Sequence, residues 1–176
     1  MHAEPLHFVR TAFGWFDSRG EAVIRVLELG SQDINGSPRQ ASPGTVTKWV
    51  GVDVFDRPGV DWVGLAHEFP AKGWDGEPFD AIVSCECFEH DPFWRDSLAA
   101  CIPLLRPGGL VAITVATGDR PPHGVEADTP TPGHYGNVSR ADLVAHLAAL
   151  GCGEIVAQVE RQNQDLYARA VYTGTG

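Results

Sequence analysis

The chain has 176 residues, 43% of them hydrophobic, and a formal charge of −10. This length and composition suit one packed core, so we predict a single domain over residues 1–176. The negative charge, with basic residues scattered along the chain, disfavours a nucleic-acid partner.

No stretch of the sequence approaches the roughly 18 consecutive apolar residues that a membrane span requires. The first residues, MHAEPLHFVRTAF, mix charged and aromatic side chains and lack the apolar core of a signal peptide. We therefore expect a cytoplasmic protein with no membrane partner. No pattern indicates the oligomeric state.

We expect the cysteines to be reduced thiols rather than disulfides, because the cytoplasm is a reducing compartment. Only two of them are closely spaced, and no second pair or histidine set completes a zinc site. We accordingly expect no metal ligands among Cys85, Cys87, Cys101 and Cys152.

The first third of the chain predicts one helix followed by two strands. Apolar residues recur at spacings of three and four over residues 4–17, as in an amphipathic helix. Two β-rich runs follow, at 22–29 and 49–54. Pro38 and Pro43 lie between them and predict that any helix in the crossover is short or irregular.

The middle of the chain alternates strands with a helix. We predict the helix over residues 92–105, with Asp91 as its N-cap and Pro92 in its first turn. Apolar runs predict strands at 60–63, 79–84 and 110–115.

The C-terminal part predicts a helix from Ser139, its capping residue, to Leu150, and then strands at 155–159 and 166–172. Strands that alternate with helices and end in a hairpin-like pair are typical of an α/β fold. We predict a Rossmann-like, seven-stranded, mostly parallel sheet with helices on both faces and one antiparallel strand near the C-terminus.

The segment LELGSQDINGSPR (27–39) leaves the first strand at Gly30 and enters a polar loop. In sheets of this type, ligands bind beyond the carboxyl ends of the strands. Asp53 ends the next strand, where an acidic side chain can accept both hydroxyl protons of a ribose. The combination indicates a nucleoside-containing cofactor, and the alternative is an ordinary turn with a capping aspartate.

Two features disfavour a nicotinamide or flavin dinucleotide. The G-x-G-x-x-G pattern is missing, because Gln32 occupies the place of the second glycine. Pro38 weakens the helix whose N-terminus would hold a pyrophosphate. A ligand without phosphates fits better.

Four motifs in this order, VLELGS (26–31), VGVDV (50–54), FDAIVSCECFEH (79–90) and LLRPGGLVAITV (104–115), carry a family resemblance. Together they resemble the class I S-adenosylmethionine-dependent methyltransferases, of the methyltransferase type 11 kind. The resemblance covers residues 22–115 best, and it implies S-adenosylmethionine as the cofactor.

The resemblance also implies roles for individual positions. The loop that begins at Gly30 would surround the methionine part of the cofactor, and Asp53 would bind the ribose hydroxyls. Leu65 stands where many relatives have an acidic residue, so adenine recognition is expected to rest on backbone groups. The implied cofactor-binding residues are Glu28, Gly30, Ser31, Gln32, Asp33, Ile34, Asp53, Val54, Ala66, His67, Ser84 and Cys85.

His90 is the candidate catalytic residue, a base for an acceptor that carries a proton. Its alternative role is that of a helix-entry residue bonded to backbone. Glu86 and Glu89 could orient a substrate or bind a cation, but we expect both side chains to be solvated.

The Gly/Pro-rich segment 116–138 is the predicted acceptor-side loop and contains His123, His134 and Tyr135. It is either a binding loop or lid, or a disordered connection.

We therefore predict methyl transfer to a small-molecule or sugar-type acceptor, at oxygen or nitrogen. Two alternatives stay open: a non-catalytic binding module of the same fold, and an enzyme that binds a nucleotide sugar or nicotinamide.

Overall fold

A computed structural model describes residues 3–34, 36–124, 133–162 and 164–174. Seven strands form one sheet, and four α-helices pack against it. The strands are β1 (Arg25–Leu29), β2 (Lys48–Asp53), β3 (Trp62–Val63), β4 (Phe79–Cys85), β5 (Leu105–Ala116), β6 (Cys152–Glu160) and β7 (Asp165–Tyr172). The helices are α1 (Ala3–Asp17), α2 (Phe69–Lys72), α3 (Trp94–Cys101) and α4 (Arg140–Ala149).

The strand order is β3-β2-β1-β4-β5-β7-β6. β7 runs antiparallel to both of its neighbours, β5 and β6, and the remaining pairs are parallel. The predicted fold class, including its single antiparallel strand, is confirmed. The strand order reverses between β1 and β4, and a ligand crevice is expected at such a reversal.

The sheet is covered on both faces, which explains why its central strands are almost continuously apolar. Val9 and Phe13 of α1 pack on one face against Val83 of β4. On the other face, Leu98 of α3 and Leu143 of α4 belong to the second, larger core cluster. Within the described residues, no helix is long and apolar enough to cross a membrane.

The helical segment in the crossover from β1 to β2 is short, as Pro38 and Pro43 predicted. In its described part this segment is a 3-10 turn, Pro38–Ala41, which Ser37 caps: the Ser37 hydroxyl accepts from the Arg39 amide at 3.2 Å.

The predicted helix at 92–105 is wrong at both ends. It begins at Trp94, because the Asp91 carboxylate accepts from the Phe93 amide at 2.7 Å and Pro92 stays outside the helix. It ends at Cys101, and a 3-10 turn over Ile102–Leu104 follows. Pro103 lies in that turn and has no N–H with which to continue α-helical hydrogen bonding.

The predicted strand at 22–29 begins three residues late, at Arg25. The amides of Ile24 and Arg25 donate to the Asp80 carboxylate at 2.8 and 2.9 Å. This carboxylate therefore binds the backbone at the point where the strand begins. The strand predicted at 60–63 shortens to two residues.

The N-cap of α4 can be tested directly. The Ser139 hydroxyl accepts from the Asp142 amide at 3.0 Å, as predicted from sequence. We expect Ser139→Ala to lower the free energy of unfolding by about 1 kcal/mol, because one helix amide loses its partner. Urea unfolding measures this, with Thr45→Ala at an exposed position as the control. Equal stability of the two variants would contradict the capping role.

Candidate functional site at the carboxyl ends of the strands

The loops after β1 and β4 are in direct contact at the reversal of strand order. Gly30 has a φ of 75°, and its amide donates to the Val52 carbonyl at 2.9 Å. A Cβ added to Gly30 would lie 2.4 Å from both Cβ and Sγ of Cys87. This position therefore requires glycine, for both its backbone conformation and the space it leaves.

Asp53 fixes the loop that follows Gly30. Its carboxylate accepts from the Gln32 amide at 3.0 Å and from the Phe55 amide at 3.1 Å. Asp33 closes the next turn: its amide donates to the Pro58 carbonyl, and its carboxylate accepts from the Gly36 amide at 2.9 Å. The end of β2 and the loop after β1 thus form one hydrogen-bonded unit.

An ion pair between Glu28 and Arg39 connects that unit to the interior of β1. Glu28 is only 1% exposed, and its Oε2 lies 3.0 Å from Nε of Arg39. Arg39 also donates to the Gly59 carbonyl at 2.7 Å and pairs with Asp61 at 3.1 Å. Burial raises the pKa of Glu28 to about 7, because desolvation of the carboxylate outweighs the attraction of Arg39.

Apolar side chains are exposed around this unit. They follow the carboxyl ends of β1, β2 and β3 or precede α3, and each is between 37% and 52% exposed. Exposed apolar surface beside a few polar groups is typical of ligand sites. The side chains are Ile34, Val54, Phe55, Leu65 and Phe93.

A second, polar group lies beyond β4 and β5. Arg120 pairs with Glu86 at 2.7 Å and also with Asp165 of β7. Glu86 has a φ of 51°, a conformation that is uncommon for a residue with a side chain and that often occurs at functional sites.

Glu89 corrects the expectation of a solvated carboxylate. Its side chain is fully buried, and neither carboxylate oxygen has a hydrogen-bond partner within the described part of the chain. The pKa of Glu89 rises to about 8, because burial and the nearby Glu86 both disfavour its charge. Glu86 is partly buried and ion-paired rather than solvated.

His90 lies against the rings of His123 and Tyr135, with ring centroids 5.1 and 5.5 Å away. Burial lowers its pKa to about 4, so the imidazole is neutral at physiological pH. Neither the proposed catalytic role of His90 nor its alternative role as a helix-entry residue is tested by this geometry, and both stay predictions.

Both described ends of the predicted acceptor-side loop lie over these residues. The Gly136 amide donates to the Glu89 carbonyl at 2.8 Å, and the Asn137 side chain donates to the Gly118 and Arg120 carbonyls, each at 3.0 Å. Residues 117–124 and 133–138 therefore cover the polar group. Residues 125–132 of the same predicted loop lie outside the described part.

Solved structures share this architecture, whereas no family model and no curated protein sequence matches the chain. An S-adenosylmethionine-dependent methyltransferase from Archaeoglobus fulgidus has 14% identity and a TM-score of 0.64, with 94% of each chain covered. The 1,6-didemethyltoxoflavin-N1-methyltransferase of Burkholderia thailandensis, crystallised with 1,6-didemethyltoxoflavin and S-adenosylhomocysteine, has 18% identity and a TM-score of 0.61, with 94% of this chain and 78% of that chain covered.

The fold is that of the class I S-adenosylmethionine-dependent methyltransferases. CurJ carbon methyltransferase, with 15% identity and a TM-score of 0.63, also has it. The match covers 86% of this chain but only 49% of that one, so the present chain spans about half the length of CurJ.

Within this methyltransferase fold, the residues expected from sequence to bind the cofactor lie in three places. Glu28 through Ile34 belong to β1 and its loop, Asp53 and Val54 end β2, and Ala66 and His67 lie in a 3-10 turn after β3. Ser84 and Cys85 end β4 on opposite faces, and Cys85 belongs to the core cluster under α1. Cofactor contacts at all these positions stay predictions.

Sequence reasoning missed three residues that shape the site: Arg39, Cys87 and Arg120. A glutamate in a buried strand followed closely by an arginine was the signal for Arg39, because a buried carboxylate requires a partner. Arg120 had no comparable signal, since its partners lie 34 and 45 residues away in sequence.

The Glu28–Arg39 pair gives a prediction that depends on pH. The folded-state pKa of Glu28 lies above its ordinary value, so its contribution to stability is complete below about pH 4.5 and is lost as the pH rises through about 7. Removing Arg39 raises that pKa further. We expect Arg39→Gln to cost roughly 2–3 kcal/mol at pH 8, discounted for the partial exposure of Arg39, and clearly less at pH 5.5.

Thermal unfolding at the two pH values measures this difference. Arg19→Gln, which breaks an exposed ion pair with Glu21, is the matched control. The double variant Glu28→Gln/Arg39→Gln should recover most of the loss at pH 8. An equal loss at both pH values would contradict the account.

Proposed function

We propose that the chain is an S-adenosylmethionine-dependent methyltransferase acting on a small-molecule or sugar-type acceptor, at oxygen or nitrogen. The observation that carries the proposal is the unit in which Asp53 holds the loop after β1 beside exposed apolar side chains. It lies at the carboxyl ends of β1 and β2, next to the reversal of strand order. The similar fold of enzymes crystallised with S-adenosylmethionine or S-adenosylhomocysteine supports the choice of cofactor.

Asp53 is proposed to bind the ribose. It is only partly buried, and each carboxylate oxygen that accepts one amide still has a free lone pair for a hydroxyl. Val54 follows the end of β2, and Leu65 follows the end of β3. Both side chains are exposed, and their apolar surfaces suit the faces of an adenine ring. Backbone groups around Ala66 and His67 would then meet the adenine edge.

The loop from Gly30 to Ile34 is proposed to hold the methionine part. Ser31 is almost completely buried, and its hydroxyl has no partner among the described side chains. Glu28 is already bonded to Arg39 and Ser37, so its contribution is to hold the loop in place.

When bound, the cofactor supplies an electrophilic methyl group on a positively charged sulfur, so the protein mainly places an acceptor in line and excludes water. The segments 117–124 and 133–138 cover the side of the site beyond β4 and β5, where the acceptor is proposed to bind. His90 is neutral there, and a neutral imidazole has a nitrogen lone pair that can take the proton of an oxygen or nitrogen acceptor.

The alternative of a dinucleotide or nucleotide-sugar enzyme is disfavoured by the crossover. A pyrophosphate binds at the N-terminus of the helix after the first strand. In the described part of this crossover, the helical segment is a 3-10 turn of four residues. A pyrophosphate therefore has no helix end to bind there.

Replacing Asp53 tests the proposal. We expect Asp53→Ala to weaken binding of S-adenosylhomocysteine by about 1–3 kcal/mol, because a charged hydrogen-bond acceptor for the ribose is lost. Isothermal titration calorimetry measures the affinity, and circular dichroism confirms that the variant folds. Asp56→Ala, at an exposed acid on the same loop, is the control.

Unchanged affinity in a folded Asp53→Ala variant would contradict the proposal that Asp53 binds the ribose. Tighter binding of NAD or a nucleotide sugar than of S-adenosylhomocysteine would overturn the proposed cofactor. Cofactor binding without methyl transfer to any of a panel of hydroxyl and amine acceptors would favour the non-catalytic module.

A further inference from the structure

We propose that Glu89, His90 and His123 form a binding site for a divalent transition-metal cation of the zinc type. One carboxylate oxygen of Glu89 and one ring nitrogen of each histidine lie within 4.8 Å of one another. Glu89 and His90 come from the segment after β4, and His123 comes from the segment after β5, so the fold brings the three side chains together.

The state of Glu89 is independent evidence for a cation. A fully buried carboxyl group without hydrogen-bond partners is costly in either protonation state, and a bound cation would satisfy its charged form. Neither Glu89 oxygen has such a partner within the described residues. The neighbouring cation, Arg120, is paired with Glu86 and Asp165 instead.

The two histidines are arranged as metal ligands usually are. A ligating imidazole commonly binds a backbone carbonyl through its second nitrogen, which fixes the ring and leaves the first nitrogen for the metal. Nδ1 of His123 lies 3.3 Å from the Pro121 carbonyl, and its Nε2 lies 4.0 Å from Oε1 of Glu89. The His90 ring lies beside that of His123, with the ring centroids 5.1 Å apart.

The ligand set selects the class of cation. Two imidazoles and one carboxylate favour Zn²⁺ or Fe²⁺ over Ca²⁺ or Mg²⁺, which prefer oxygen ligands. Around tetrahedral zinc, ligand atoms are about 3.3 Å apart, so the three side chains would need to approach one another by up to about 1.5 Å. Three protein ligands leave at least one position open for water or another oxygen.

The open position gives the site a role that rests on the proposed function. Residues 117–124 and 133–138 cover the cluster on the side where the acceptor is proposed to bind, and Tyr135 packs against both histidines. With the cation bound, the His90 lone pair is on the metal, so His90 would act as a ligand and not as the base. An acceptor hydroxyl bound to the cation would be oriented and made more acidic, so that it loses its proton more readily. The acceptor class is then an oxygen nucleophile, such as a hydroxyl beside a second oxygen.

Metal content and affinity test the site. After treatment with a chelator and removal of the chelator, we expect the full chain to bind one Zn²⁺ per molecule by calorimetry, and Co²⁺ to give the visible absorption of a low-symmetry site. Glu89→Gln and His123→Ala should each weaken Zn²⁺ binding at least tenfold. His7→Ala, at an exposed histidine of α1, should leave it unchanged.

The two proposals fail separately. Zinc binding that is absent from the wild type, or that is equally strong in Glu89→Gln, His123→Ala and His7→Ala, overturns the metal site. The Co²⁺ spectrum of the wild-type chain keeps the test valid if a variant does not fold. Titration of the same samples with S-adenosylhomocysteine reports on the cofactor site alone, so loss of one binding event is distinguishable from loss of the other.

Discussion

The ion pair between Glu28 and Arg39 is the interaction on which the candidate site depends. It joins the interior of β1 to the crossover that follows it, and Arg39 extends the connection to the Gly59 carbonyl and to Asp61. Because the crossover has only a short 3-10 turn, helix packing contributes little to the position of its loop. Hydrogen bonds and ion pairs of the Glu28, Arg39 and Asp53 side chains hold the loop in position instead.

The polar group beyond β4 and β5 follows a different principle. Asp165 and Glu89 are buried and Glu86 is partly buried, and two of these three carboxylates have Arg120 as a partner. Glu89 is left without one in the described residues, in a neighbourhood that also holds two imidazoles. Proteins rarely keep such a carboxyl group unless it binds or reacts with something, and this supports the proposal that the acceptor binds on this side of the sheet.

The sequence predicted the fold because its strongest patterns are local. β4 and β5 are long apolar runs, and the Ser139 cap marks the start of α4 unambiguously. Element ends were less predictable where a distant side chain decides them. Asp80, 55 residues along the chain from Arg25, occupies the amides just before β1.

The same distinction applies to the candidate site. Gly30 and Asp53 were found from their spacing and from their positions at strand ends. The burial of Glu89 was not predicted, because it depends on a distant segment: the Gly136 amide donates to the Glu89 carbonyl, which brings residues 133–138 over it. A surface position near a helix start and a buried position under a loop have the same local sequence.

The most direct measurement is a crystal structure of the chain with S-adenosylhomocysteine. The account predicts the ribose hydroxyls on the Asp53 carboxylate and the adenine among Val54, Leu65 and His67. Density for the ligand at any other place on the sheet, or a ribose without contact to Asp53, would contradict it.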